Sequence, residues 1–216
     1  MNSEPRTKPG HLVEWIVWGL VALTVVAISV AFVIHRAGEG RLRKPLLASG
    51  DVPAFALTNQ LGQPFSLTNL LGHVWVADVI FSRCPISCEQ MSRRMRALQD
   101  EFARRAGLKF VSLTADPEFD TPSVLQHYAE RHAANPARWH FLTGPKKDVY
   151  HLAVDGLKFV VLDKTEQKET PDDLFIHSTQ FVLVDKQGHI RGYFEATDEE
   201  ERAQLALAVR KLLRER

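Results

Sequence analysis

Trp15 to Ile34 reads WIVWGLVALTVVAISVAFVI, twenty residues without a charge, in which Thr24 and Ser29 are the only polar members. A stretch of this kind leaves the backbone few choices, because in lipid only a helix satisfies its own N–H and C=O groups within one segment. At about 1.5 Å per residue, twenty residues cross a hydrocarbon core of about 30 Å. Trp15 and Trp18 stand at one end, where amphipathic rings favour the interface, with Glu14 before the run and His35 and Arg36 after it. A cleaved signal would have a shorter apolar core and a small-residue cleavage site. Here the run is followed by His35-Arg-Ala-Gly-Glu-Gly. The expected division is a short tail (1–14), a transmembrane anchor (15–35), a linker (36–50) and a body (51–216). Arg6 and Lys8 precede the anchor, while Arg36, Arg41, Arg43 and Lys44 follow it. That count alone would hold the body in the cytoplasm, but the rule is weak for long translocated domains.

The net charge is +1, and the residues after Pro45 carry 21 basic against 23 acidic side chains. No basic field argues for nucleic acid. The body alternates in its patterning. Phe55 to Leu67 reads as a small hairpin turning at Leu61-Gly62-Gln63-Pro64, and Val74 to Phe81 (VWVADVIF) as a strand buried on both faces. Met91, Met95, Leu98 and Phe102 repeat at helical spacing in an amphipathic helix expected over 89–106, stopped at Gly107. Leu108 to Thr114 is a second strand. Thr121-Pro122 caps and opens a helix to about His132. Trp139 to Thr143 is a short apolar stretch. Gly144-Pro145 opens a short helix to Val154, and Phe159 to Leu162 is a short strand. A hairpin over 179–194 turns at Asp185-Lys186-Gln187-Gly188, and Asp198 begins a C-terminal helix. Strand, helix, strand, helix, hairpin, helix describes one α/β domain.

The two cysteines, Cys84 and Cys88, lie in Phe81-Ser82-Arg83-Cys84-Pro85-Ile86-Ser87-Cys88, where the first central strand gives way to a helix. Open α/β sheets do their chemistry at that carboxyl edge. With Pro85 at the first helical position, Cys84 is expected near the N-cap. There unpaired N–H groups, the helix dipole and Arg83 favour its thiolate. Cys88 follows one turn later, so both sulfurs can face one spot. Paired thiols form a disulfide, exchange one, or hold a soft metal. Structural zinc needs four ligands and two thiols fall short of a closed site, whereas Cu(I) accepts low coordination and takes thiolate with imidazole. A passive disulfide would close a very short loop and stabilise little.

Of nine histidines, His11 and His35 flank the anchor. His127, His132 and His151 lie in helical patterns, as surface or helix-end residues. His73 and His189 lie at turns, and His140, between Trp139 and Phe141, reads as a satisfied core residue. His177 differs. It precedes the late hairpin, in the segment that passes beside the cysteine loop in thioredoxin-like architecture and carries a cis-proline in dithiol exchangers. Here that segment offers a ligand instead of a proline.

Phe81-x-x-Cys84-Pro85-x-x-Cys88, the distant His177-Ser178, and Val182-x-Val184-Asp185-x-x-Gly188 resemble the Sco/SenC family over nearly the whole chain after Asp51. The single N-terminal anchor fits as well. The resemblance implies a thioredoxin-like α/β domain that binds copper. It implies Cys84, Cys88 and His177 as ligands, Cys84 and Cys88 as a redox pair, and Cu(I) as cargo with Cu(II) left open. It further implies service to the copper-bearing subunit of cytochrome c oxidase or another copper acceptor. It sets the body on the extracytoplasmic side, the periplasmic face of a bacterial inner membrane, against the bare Lys/Arg count. The chain departs from the pattern at Ile86 and Ile176, where acidic residues are common, and at Glu89, where proline is common. Two functions stay open: a copper chaperone, and a membrane-tethered thiol–disulfide oxidoreductase that reduces partner cysteines.

Overall fold

The computed structural model describes residues 11–39, 42–43, 45–47, 49–84, 86–163 and 175–215. The chain divides into two compact units, Met1–Arg41 and Leu42–Arg216. In the first, helix α1 spans His11–Glu39, longer than the uncharged run at its centre. Within it, Glu14–Val33 has a mean hydropathy of 2.6 and is long and apolar enough to cross a membrane.

The second unit is built on an eight-stranded sheet in the order β1-β10-β9-β4-β5-β6-β2-β3. Its centre consists of β4 (Val74–Ile80), β5 (Leu108–Thr114) and β6 (Trp139–Thr143), paired in parallel. All seven residues of β4 are buried, which is why that run shows no polar alternation. On one side, β9 (Gln180–Val184) pairs antiparallel with β4, and β10 (His189–Glu195) pairs with β9. On the other, the hairpin β2 (Ala56–Asn59) and β3 (Pro64–Ser66) pairs antiparallel with β6. The linker also takes part. Ser49–Asp51 forms β1 against β10, and the Leu47 N–H donates to the Arg191 carbonyl at 2.8 Å.

Helix α2 (Ser87–Glu101) follows β4. It begins two residues earlier and ends five residues sooner than its periodicity suggests. The early end has a physical cause: the Arg138 guanidinium donates to the Phe102, Ala103, Arg105 and Leu108 carbonyls at 3.0–3.3 Å and fixes a non-helical turn ahead of β5. Helix α3 (Pro122–Arg131) has Thr121 as N-cap, accepting from the Val124 N–H, with proline in the first turn. After Pro145, α4 (Lys146–Tyr150) widens into a π turn over His151–Gly156, where a continuous α-helix was expected. Strand β7 (Val161–Asp163) then pairs with β8 (Phe175–His177) in a separate two-stranded ribbon. Helix α5 (Glu199–Arg214) starts at Asp198, whose carboxylate accepts from the Glu200 and Glu201 N–H groups at 2.7 and 3.2 Å.

Candidate metal and redox centre

Strand β4 delivers the chain to the cysteines. The Cys84 N–H donates to the Phe81 carbonyl at 3.1 Å, closing a turn straight after the strand. The N-cap of α2 is Ile86, so Cys84 stands two residues ahead of the cap rather than at it, and Cys88 is the second residue of the helix. Pro85 lies outside the described residues. The expected contact with the helix start is nevertheless made. Ile86 has no side chain that could cap, and the Cys88 N–H donates to the Cys84 sulfur at 3.4 Å. Ser87 Oγ lies 3.1 Å from the same sulfur. The Cys88 sulfur accepts from the Phe81 N–H, also at 3.4 Å. Neither thiol is in a disulfide; Cys84 is 7% exposed and Cys88 not at all.

This asymmetry sets their chemistry apart. Burial pushes the Cys88 thiol well above its ordinary pKa, and the hydrogen bond with Cys84, the charge of Cys84 and the charge of Asp78 push the same way, against the Phe81 N–H. Asp78, on β4, is fully buried. Its influence reaches Tyr128 as well, whose hydroxyl is pushed upward chiefly by its own burial. Tyr128 donates to the Cys88 carbonyl at 3.4 Å and meets Ser92 Oγ at 2.8 Å, so α3 holds the first turn of α2. Glu89 pairs with His132 at 3.3 Å, and the His132 ring lies 4.6 Å from Tyr128. His132, expected at a helix end, is there, but its side chain is buried.

Two carboxylates from the β5–α3 loop grip the residues just ahead of Cys84. Asp120 accepts from the Ser82 N–H at 3.1 Å, from the Ser82 hydroxyl, and from the Thr114 hydroxyl at 2.5 Å. Asp116 receives the Arg83 guanidinium at 2.5 Å, and that guanidinium lies 4.2 Å above the Phe119 ring. Burial pushes the Asp120 carboxyl upward, with the bonds from Ser82 and Thr114 pulling against it. Local pattern gives no sign of either carboxylate's role, because each meets its partner only through the tertiary fold.

His177 ends β8, its backbone paired with Val161. Its side chain lies outside the described part of the chain. Ser178, the next residue, is clamped to Val160 by two bonds: its N–H donates to the Val160 carbonyl at 2.9 Å and its Oγ accepts from the Val160 N–H at 2.8 Å. Two residues on, β9 begins. Its register against β4 (Val182 opposite Ala77) runs antiparallel, so the start of β9 lies at the sheet edge from which the cysteine loop leaves. Among the described side chains, no three His, Cys, Asp or Glu groups gather as a metal site. His140 is in the core as expected, packed 4.5 Å from the Phe65 ring, but it is not satisfied: among the described residues, neither ring nitrogen has a hydrogen-bond partner.

A model of the SCO1/SenC family matches residues 47–214. The chain belongs to the SCO1/SenC family. The SCO1 protein homolog of Bacillus subtilis is 32% identical over 155 residues, 71% of this chain and 77% of that protein. A Stutzerimonas stutzeri protein described as a candidate copper-binding protein is 32% identical over 148 residues, 67% of this chain and 69% of its own length. Among solved structures, a SCO1/SenC family lipoprotein from Bacillus anthracis superposes with a TM-score of 0.70 at 28% identity, covering 80% of this chain and 99% of that one. BsSco, a Sco-family cytochrome c oxidase assembly protein with a disulfide switch, gives 0.69 at 26% identity, covering 82% and 99%. The mixed α/β, thioredoxin-like Sco fold is therefore that of this SCO1/SenC member.

Proposed function

We propose that this SCO1/SenC protein is a membrane-anchored copper chaperone. Cys84, Cys88 and His177 would hold copper as Cu(I) on the extracytoplasmic side of the membrane and pass it to the copper-bearing subunit of cytochrome c oxidase. Two thiolates and an imidazole suit Cu(I) better than harder cations. The observation that carries the reading is topological: β9 lies antiparallel beside β4, so the segment after His177 begins at the edge where the cysteines stand. The similarity to a candidate copper-binding protein supports the cargo, and the similarity to an oxidase assembly protein supports the client. The apolar helix α1 supports the anchor.

Anaerobic Cu(I) titration of the full chain in detergent tests it. The expected result is one Cu(I) per chain, with His177→Ala weakening binding at least about tenfold, since losing a ligand exceeds losing one of its supporting bonds. A His177→Ala protein that binds as tightly as the parent sinks His177 as a ligand.

A second reading, dithiol exchange with partner cysteines, is favoured by the asymmetry of the pair. Cys84 keeps a small exposed area and would be the sulfur that attacks, while the wholly buried Cys88 would resolve. Turnover on a disulfide substrate that survives His177→Ala would select this reading.

A further inference from the structure

The two cysteines are fixed by different means. Cys88 belongs to α2, and Tyr128 and Ser92 hold that turn against α3. Cys84 precedes the helix, so its sulfur goes where the chain from β4 puts it. That chain is tied at two consecutive residues, Ser82 to Asp120 and Arg83 to Asp116. Asp120 is fully buried, a costly place for a carboxylate unless donors surround it. Three donors do, two of them from Ser82. The third, Thr114, terminates β5 and accepts in turn from the Asp116 N–H at 2.9 Å, so both carboxylates share one support.

We propose that Asp120 is a positioning residue for the thiol pair. By holding Ser82 against the end of β5, it sets the Cys84 sulfur over the first turn of α2, in reach of the Cys88 N–H. The inference rests on Cys84 and Cys88 being the working pair, and not on which cargo or client they serve. The arrangement it holds is that of the dithiol, since no disulfide joins Cys84 to Cys88. Loosening it removes stabilisation from the dithiol and favours the disulfide.

Equilibration with glutathione buffers measures this directly. Cys84 and Cys88 lose two protons and two electrons as their S–S bond forms, and one glutathione disulfide is cleaved to two thiols. Ser82→Ala and Asp120→Asn are expected to shift this equilibrium about tenfold toward the protein disulfide, which corresponds to about 30 mV for a two-electron couple. Ser82→Thr, which keeps the hydroxyl, is expected to stay within about twofold of the parent. A purely architectural tie would lower the melting temperature and leave the equilibrium in place. The proposal is overturned if both variants melt cooperatively yet stay within twofold, or if they shift toward the dithiol. Should Asp120→Asn fail to fold, Ser82→Ala decides, because it keeps the main-chain bond to Asp120 and removes only the hydroxyl. Cu(I) titration of the parent is read separately. A parent that takes no Cu(I) overturns the chaperone reading and leaves the glutathione comparison standing.

Discussion

The two ends of α2 are built in opposite ways. At its C-terminal end, one guanidinium, Arg138, gathers the Phe102, Ala103, Arg105 and Leu108 carbonyls. Bonds to a charged donor are among the stronger ones a protein makes. At its N-terminal end the cap position is Ile86, and the Cys88 N–H is met by a sulfur, a weak acceptor. The strong closure stands where no chemistry is expected. The weak one stands where, on the proposed function, a thiol would leave its N–H for a metal, a disulfide or a partner. Rigidity at the reactive end is supplied one step back, by Asp116 and Asp120, so the sulfur is aimed without being locked.

The largest expected effect lies beyond the strongly closed end, on the strand that Arg138 leads into. His140 on β6 is buried, with no partner for either ring nitrogen among the described residues, and burial lowers its pKa from the usual 6.5 to about 4, with Lys109 adding to the effect. The unfolded chain therefore takes up this proton before the folded one. The stability contributed by a neutral His140 is complete above about pH 6.5 and is lost as the pH falls toward about 4, about 3 kcal/mol in all. His140→Leu should remove that part of the acid loss. Urea unfolding of both proteins at pH 7 and pH 4 checks it. If parent and variant lose stability in parallel, the acid sensitivity lies elsewhere, and the contrast between the two ends of α2 gains nothing from β6.

Arg138→Ala tests the strong end itself. It takes the guanidinium from four carbonyls, of which those of Phe102 and Arg105 keep main-chain donors, and should reduce stability by about 2 kcal/mol. Arg138→Lys keeps the charge without the fork and should recover only part of this. The glutathione equilibrium of Cys84 and Cys88 should stay within about twofold of the parent. A tenfold change there would mean that the two ends of α2 are coupled, and the division of labour between them would fail.

Much of this contrast was hidden in the sequence, and the reasons are physical. The central strands were legible as apolar runs, and α3 and α5 as Thr121-Pro122 and Asp198, because those signals act within a few residues of one another. The closeness of Cys84 and Cys88 followed from spacing alone. Cys84 was expected near the N-cap of a helix opening at Pro85; the helix starts at Ser87 instead, and a cap role passed to a side chain outside the usual capping residues. Arg138 and Asp120 reach partners more than thirty residues away, and no local pattern marks such a pairing. His140 sits between two aromatic residues and reads as core, but nothing in WHF tells whether its nitrogens find partners. His177 was singled out by its place before the late hairpin, and only the antiparallel pairing of β9 with β4 gives that place a spatial meaning.

The smallest effect is the sharpest test of the weak end. Ile86 is 70% exposed, so replacing it removes little from the core. Ile86→Asp sets a carboxylate at the N-cap, where it can accept from the Cys88 or Glu89 N–H and interact favourably with the helix dipole. A cap of this kind is worth about 1 kcal/mol, less here because the Ile86 backbone (φ −121°, ψ −69°) is not in the extended conformation that caps prefer. The introduced carboxylate also competes with the Cys84 sulfur for the Cys88 N–H and places negative charge beside it. The reduced protein should therefore unfold at higher urea while Cys84 alkylates more slowly, because the thiolate is less favoured. If stability rises with no change in alkylation, the sulfur never depended on that N–H. If stability does not rise at all, the N-terminal end was already closed, and the two ends of α2 differ less than their hydrogen bonds imply.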